Sequence, residues 1–246
     1  MEVIFLGTNG WYDTKTGNTI CILIKAKNYN IILDAGNGIA KIDDYCKSKK
    51  DTYLFISHFH LDHIIGVHTL AKLRNIRRLH IIIPRGTRKT LNTIANSPYT
   101  VPLSKLPFPV KVSELKVKKT GLPFSVLAAR LLHSTLTIGF RLEIEGKVIT
   151  YCPDTGYCSN AVRLARDADI LIAECANKGK GNPKWPHLNP ESAARIAKEA
   201  GAKKLVLVHF SANIYKELKD RNAAQSKARR IFNNTFAAID GMKIKL

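Results

Sequence analysis

The hexapeptide His58-Phe59-His60-Leu61-Asp62-His63 constrains this 246-residue chain more than any other stretch. Four side chains able to bind a metal ion stand within six residues. They follow the apolar, β-branched run Thr52–Ile56, which reads as a buried strand. They precede Ile64, Ile65, Val67, Leu70 and Leu73, which recur at helical spacing between His63 and Arg74. Alternate residues of a strand end project to one side, so residues 58 and 60 share a direction, and the turn into the helix lets Asp62 and His63 face a second position. Neutral imidazoles at about 2.0–2.1 Å can then serve two metal ions in one pocket. A surface histidine cluster is the competing reading. The place of the run just past a buried strand disfavours it.

The rest of the chain alternates between strand and helix signals. Val3–Leu6, Thr19–Lys25 and Asn30–Leu33 read as early strands, residues 36–47 as a helix, His80–Pro84 as a strand and residues 86–95 as a short helix. Part of residues 96–108, which hold Asn96, Ser97 and three prolines, is the best candidate for a surface loop. Lys111–Leu115, Ser125–Leu132, Thr137–Glu145 and Lys147–Tyr151 alternate as strands. Asn160–Arg166 and Pro190–Ala200 read as helices between the strands Asp169–Ala173 and Lys204–Val208, and Asn189-Pro190-Glu191 is a strong helix start. A last helix is predicted over residues 213–236 and a closing strand over Met242–Leu246. Two β-rich stretches, each followed by helices, predict an α/β architecture of two stacked mixed sheets with helices outside, held in a single domain spanning residues 1–246.

Composition narrows the function classes. Hydrophobic residues make up 45% and charged residues 24%, which excludes a disordered or fibrous chain. A chain of this length buries roughly 70–75% of its unfolded surface without staples. The longest apolar run is too short to cross a bilayer, and the start, MEVIFLGTNG, reads as a strand rather than a signal peptide. Five scattered cysteines (Cys21, Cys46, Cys152, Cys158 and Cys175) point to reduced thiols and a cytoplasmic setting. Thirty-nine Lys and Arg against 19 Asp and Glu give a formal charge of +20, which favours polyanionic partners. The basic residues cluster in 72–89, 116–119, 178–184 and 216–230. No aromatic residues interleave with them in a stacking pattern, so sequence-specific single-strand readout is not indicated.

The run at 58–63 resembles the HxHxDH signature of the metallo-β-lactamase superfamily. The remaining positions of that pattern occur in order across nearly the whole chain: His133 after the strand ending at Leu132, Asp154 in Tyr151-Cys152-Pro153-Asp154-Thr155-Gly156, and His209 after Leu205–Val208. The resemblance implies a four-layer αββα sandwich and two metal ions per chain. The first would take His58, His60 and His133, the second Asp62, His63 and His209, with Asp154 shared between them. Zinc suits these imidazole and carboxylate donors best, with manganese and iron as alternatives.

Within the superfamily the details resemble ribonuclease Z and its close phosphodiesterase relatives. The resemblance is carried by His133-Ser134 with Gly139-Phe140-Arg141, by Asp167–Ile172 leading to Glu174, by His187-Leu188-Asn189, and by Leu205–Ser211. Three departures stand out. The interval between His133 and Asp154 is 21 residues and filled by strands, so it carries no tRNA-gripping arm. The early loop reads Asp13-Thr14-Lys15-Thr16-Gly17-Asn18, keeping Lys15 and Asn18 without the family's arginine. Ala173 replaces the histidine often found before Glu174.

The resemblance implies a dinuclear-zinc phosphodiester hydrolase, an RNA 3′-end endonuclease or a relative acting on smaller phosphodiesters. Asp62 would orient or deprotonate the attacking water, His187 would protonate the leaving group and Glu174 would orient His187. Relatives of this kind are often homodimers, and no membrane partner is expected. His68, His80 and the pair Cys152 and Cys158 read as structural. Trp11 and Tyr12 read as an aromatic wall by the site, or else as core or dimer contacts. Two rival readings remain. One is a thioester, lactone or cyclic-nucleotide hydrolase on the same metal pair, and the other a nucleic-acid-binding protein with a vestigial site.

Overall fold

The computed structural model describes residues 1–115 and 121–246. The basic stretch 116–119 lies outside the described residues. In chain order the strands are β1 (Glu2–Gly7), β2 (Asn9–Gly10), β3 (Cys21–Lys25), β4 (Tyr29–Leu33), β5 (Lys50–Phe55), β6 (Ile76–Ile83), β7 (Val110–Glu114), β8 (Ser125–Arg130), β9 (Ile138–Ile144), β10 (Lys147–Cys152), β11 (Ile170–Glu174), β12 (Leu205–Val208), β13 (Phe210–Ser211), β14 (Thr235–Ala237) and β15 (Lys243–Lys245). The α-helices are α1 (Ile42–Tyr45), α2 (Leu61–Ile64), α3 (Arg88–Ile94), α4 (Ser159–Ala165), α5 (Pro190–Glu199) and α6 (Leu218–Arg229).

The chain divides into two compact units, neither of them contiguous in sequence. The first comprises Met1–Thr8, Gly17–Leu115 and Asp240–Leu246; the second comprises Asn9–Thr16 and the described part of 116–239. The first unit is built on a seven-stranded sheet in the order β15-β1-β3-β4-β5-β6-β7. β1, β3 and β4 run antiparallel, and β4 through β7 are parallel, each pair linked by a crossover that contains α1, α2 or α3. Parallel strands covered on both faces read as continuous apolar runs, and Ile31–Leu33, Leu54–Ile56 and Ile81–Ile83 are all buried.

The second unit repeats the plan with six strands in the order β14-β12-β11-β10-β9-β8, antiparallel from β8 to β10 and parallel from β10 to β14. Its core joins Leu164, Leu171, Ile196, Leu205 and Leu207 with an alanine-rich face of α5 (Ala193, Ala194, Ala197). Asn189 caps α5 as its sequence foretells: Asn189 Oδ1 accepts from Ser192 N at 2.8 Å, and Ser192 Oγ accepts from Asn189 N at 2.9 Å. A separate parallel pair, β2 with β13, matches Asn9 to Phe210 and Gly10 to Ser211.

Several expectations are corrected. The helix predicted over 213–236 is α6 alone, because Asn233 and Asn234 break the chain and Thr235–Ala237 then pairs with β12 as a parallel edge strand. The helix expected at 36–47 begins as a 3-10 segment, Asn37–Lys41, before α1. The helix expected from His63 starts earlier, as α2, and continues as the 3-10 segment Ile65–Lys72. There a Cβ on Gly66 would sit 2.3 Å from the Gly36 carbonyl oxygen, so the backbone approaches too closely for any other residue. All five cysteines are free thiols, four of them buried. Among the described residues no helix is long and apolar enough to cross a membrane.

Candidate metal centre

In both units the polar side chains gather just past the carboxyl ends of parallel strands, where open α/β sheets place their ligands. In the first unit β4 and β5 are parallel neighbours, with Leu33 opposite Phe55. Asp34 and Ser57, each beyond one of these strands, therefore meet. Asp34 accepts from Ser57 N at 2.7 Å and from Ser57 Oγ at 2.8 Å. Its Oδ2 lies 2.7 Å from His63 Nδ1, with both side chains wholly buried. A positive φ of 58° at Asp34 turns the chain out of β4, a conformation that aspartate tolerates better than most residues.

The hexapeptide begins in a loop past β5 and enters α2 at Leu61. His58 Nε2 lies 3.0 Å from His60 Nδ1, and the His58 and His63 rings are 4.1 Å apart between centroids. Asp62 Oδ2 is 3.8 Å from His63 Nε2. Ser57 Oγ, 3.0 Å from His58 Nδ1, fixes the far nitrogen of that ring.

In the second unit Asp154 stands between two histidines. Its Oδ2 lies 3.6 Å from His133 Nε2, and its Oδ1 lies 3.2 Å from His209 Nε2. All three side chains are at least 95% buried. His133 Nδ1 donates to the Pro186 carbonyl at 3.3 Å, which leaves the Nε2 lone pair directed at Asp154. His209 adopts φ 53° as the chain leaves β12. Its ring packs on bare backbone, because a Cβ on Gly10 would fall 2.5 Å from His209 Cε1. The β2–β13 pair fixes that approach.

Glu174, fully buried at the end of β11, accepts from Thr155 N at 2.9 Å and Ala176 N at 2.8 Å. His187 Nδ1 donates to the same carboxylate at 2.6 Å. A ring nitrogen of His187 lies within 4.8 Å of ligand atoms of Asp154 and His209.

The donor chemistry fits a metal ion. Two donors 2.0–2.1 Å from one tetrahedral ion lie roughly 3.4 Å apart, and the donor–donor separations His58–His60, Asp62–His63, His133–Asp154 and Asp154–His209 run from 3.0 to 3.8 Å. The outer partners fit as well. Nδ1 of His58, His63 and His133 each faces a hydroxyl, carboxylate or carbonyl, the arrangement that sets the tautomer of a metal-bound imidazole.

Residues 29–210 match the sequence profile of the beta-lactamase superfamily domain. The chain belongs to that superfamily. Among relatives of this superfamily member, ribonuclease Z of Bacillus velezensis is 25% identical, with 99% of this chain and 98% of the relative covered. Ribonuclease Z of Streptococcus equi subsp. equi is 28% identical, with 95% and 96% covered. The probable metallo-hydrolase YhfI of Bacillus subtilis is 25% identical over 85% of this chain and 87% of its own. The crystal structure of YhfI superposes with a TM-score of 0.82 at 20% identity, covering 99% of both chains. That of the short form of human tRNase Z does so at 0.73 and 24%, covering 100% and 99%. The fold is therefore the α/β metallo-β-lactamase fold.

The alignment with the Bacillus velezensis enzyme runs over 309 positions against 246 residues here, so that relative carries insertions this chain lacks. The alignment with YhfI needs only 216.

Asp34 and Gly10 carry no mark in the sequence, Asp34 passing as one more turn residue after a strand. His80 stacks on Tyr53 at 4.7 Å, and His68 Nδ1 donates to the Ile65 carbonyl, so both are structural as expected. Trp11 is 65% exposed, which removes the core reading for it.

Proposed function

We propose that this superfamily member is a metal-dependent hydrolase of phosphodiesters, acting in the cytoplasm as an RNA 3′-end endonuclease of the ribonuclease Z kind. The observation that carries the reading is Asp154, whose two oxygens lie 3.6 and 3.2 Å from two different imidazoles, so that one carboxylate could serve two ions. His58, His60 and His133 would hold one zinc ion and Asp62, His63 and His209 the other, with Asp154 shared. When bound, such ions supply Lewis acidity to a phosphoryl oxygen and bring the pKa of a water toward about 7.

The chain's own residues do the rest. Asp62 orients the attacking water. The Glu174 carboxylate, anchored by two backbone N–H groups, holds the His187 proton at Nδ1 and so fixes the ring for proton transfer from Nε2 to the departing oxygen. The excess of 20 positive charges draws a polyanion toward the site. A smaller phosphodiester is the second reading, and the 21-residue interval between His133 and Asp154, too short for an inserted arm, favours it.

The test is a panel assay of zinc-loaded protein on pre-tRNA with a 3′ trailer, cyclic nucleotides and bis-p-nitrophenyl phosphate, with metal analysis alongside. About two zinc ions per chain and chelator-sensitive cleavage of pre-tRNA are expected. Turnover of thioesters or lactones alone would overturn the substrate class, and a metal-free protein that binds RNA without cutting it would overturn the activity.

A further inference from the structure

The segment from Asn177 to Asn189 leaves the second unit as a loop pinched at its base. Asn177 N donates to the Leu188 carbonyl at 3.0 Å, and Asn189 Nδ2 donates to the Gly179 carbonyl at 3.0 Å. Beyond this neck the residues from Gly179 to Trp185 are exposed. Lys178 is engaged by Asp220 at 2.7 Å, while Lys180 and Lys184 are exposed residues. Trp185 follows Lys184 directly, an adjacency that qualifies the reading of this cluster as lacking an aromatic partner.

Trp185 has a particular seat. Its ring meets the His133 ring edge-on, 5.8 Å between centroids and 74° between planes, yet 51% of the residue stays open to solvent. The next residue, Pro186, supplies the carbonyl that receives His133 Nδ1–H. Leu132, just before that histidine, is also 51% exposed. Half-exposed indole and leucine surface beside a buried ligand histidine presents apolar area to solvent, with lysine ammonium groups on the same loop. A large rigid ring with lysines nearby is the combination that binds single-stranded nucleic acid, through base stacking and backbone neutralisation.

We propose that Trp185 is the stacking platform for a base adjoining the scissile phosphate of a single-stranded RNA, with Lys180 and Lys184 neutralising the phosphates on either side. This assignment rests on the phosphodiesterase reading above and names its substrate-gripping element. Stacking is tolerant of base identity, so the loop selects an unpaired strand rather than a sequence. It supplies, from thirteen residues, a grip that does not depend on an inserted arm.

The test uses the full-length, zinc-loaded chain carrying Trp11→Phe, so that Trp185 is the sole indole. It is titrated with a single-stranded phosphorothioate oligoribonucleotide and with the same oligomer made abasic at one nucleotide. Quenching of Trp185 fluorescence by the first oligomer is expected. With Kd read from the anisotropy of a fluorescein-labelled oligomer, Trp185→Ala should raise it by about 5- to 100-fold, Trp185→Phe should restore most of the affinity, and the abasic oligomer should bind all three proteins alike. Replacing Lys180 and Lys184 by alanine should flatten the dependence of log Kd on log salt by roughly 0.7 for each phosphate no longer neutralised. Absent quenching, or equal weakening for base-bearing and abasic oligomers, overturns the assignment. The two readings fail separately: quenching without cleavage of any phosphodiester rejects the activity and keeps the platform, while cleavage without a Trp185 effect does the reverse.

Discussion

Asp34 and His63 meet through Oδ2 and Nδ1 at 2.7 Å, and neither side chain has any exposed surface. The carboxylate is held in turn by the backbone and hydroxyl of Ser57. A histidine so gripped has one tautomer and one ring angle, with Nε2 turned toward Asp62. Asp34→Asn keeps the volume and loses the charged acceptor. Zinc affinity should fall by about 10- to 100-fold, which competition with a chromogenic chelator will measure. Unchanged affinity would remove Asp34 from the support of the site.

Gly10 makes the corresponding prediction for His209. Gly10→Ala puts a methyl group 2.5 to 2.8 Å from three atoms of the imidazole ring, so the ring must turn away from Asp154. Activity should drop by at least about tenfold, and the metal content should fall below that of the parent. The circular dichroism spectrum should stay that of the parent.

The role of His187 is separable by leaving group. His187→Ala should slow cleavage of an RNA phosphodiester by about 10²- to 10⁴-fold. It should leave hydrolysis of bis-p-nitrophenyl phosphate nearly intact, because p-nitrophenolate departs without a proton. Glu174→Gln, which weakens the hold on His187 while keeping oxygen acceptors for Thr155 N and Ala176 N, should slow RNA cleavage more weakly and shift the basic limb of the pH profile. Equal losses on both substrates would make His187 a packing residue.

Acid stability has a local contributor at Asp169. The Lys203 ammonium at 2.9 Å and the Val148 N–H at 2.8 Å hold its carboxyl below the usual range. A carboxyl lowered in the folded state stabilises fully above the unfolded value of about 3.9 and loses that contribution as pH falls through the folded value. Asp169→Asn should therefore cost on the order of 1 kcal/mol at pH 7. The difference should narrow as pH falls below about 3.9 and close once the folded carboxyl is protonated, as urea midpoints measured across the acid range will show.

The metal run, its flanking strand and the α5 cap were legible because each is written in adjacent residues. Four donors in six residues need no tertiary knowledge to be noticed. Asp34 was not legible, since its role exists only because β4 and β5 are parallel neighbours in one register. Gly10 needs the pairing of Asn9–Gly10 with Phe210–Ser211 across most of the chain. The strand Thr235–Ala237 was hidden inside an apparent helix, since its β preference is expressed over three residues and decided by β12 beside it. Trp185 was visible as a letter, but its edge-on seat against His133 is a tertiary fact.

The interleaving of the two units has a consequence for synthesis. A ribosome that has delivered residues 1–115 has finished neither unit, because β15, the edge partner of β1, is translated long afterwards. The segment carrying Gly10 must likewise wait, unpaired, until Phe210 has emerged. Nascent intermediates of this enzyme should thus expose an open sheet margin until the last residues are made.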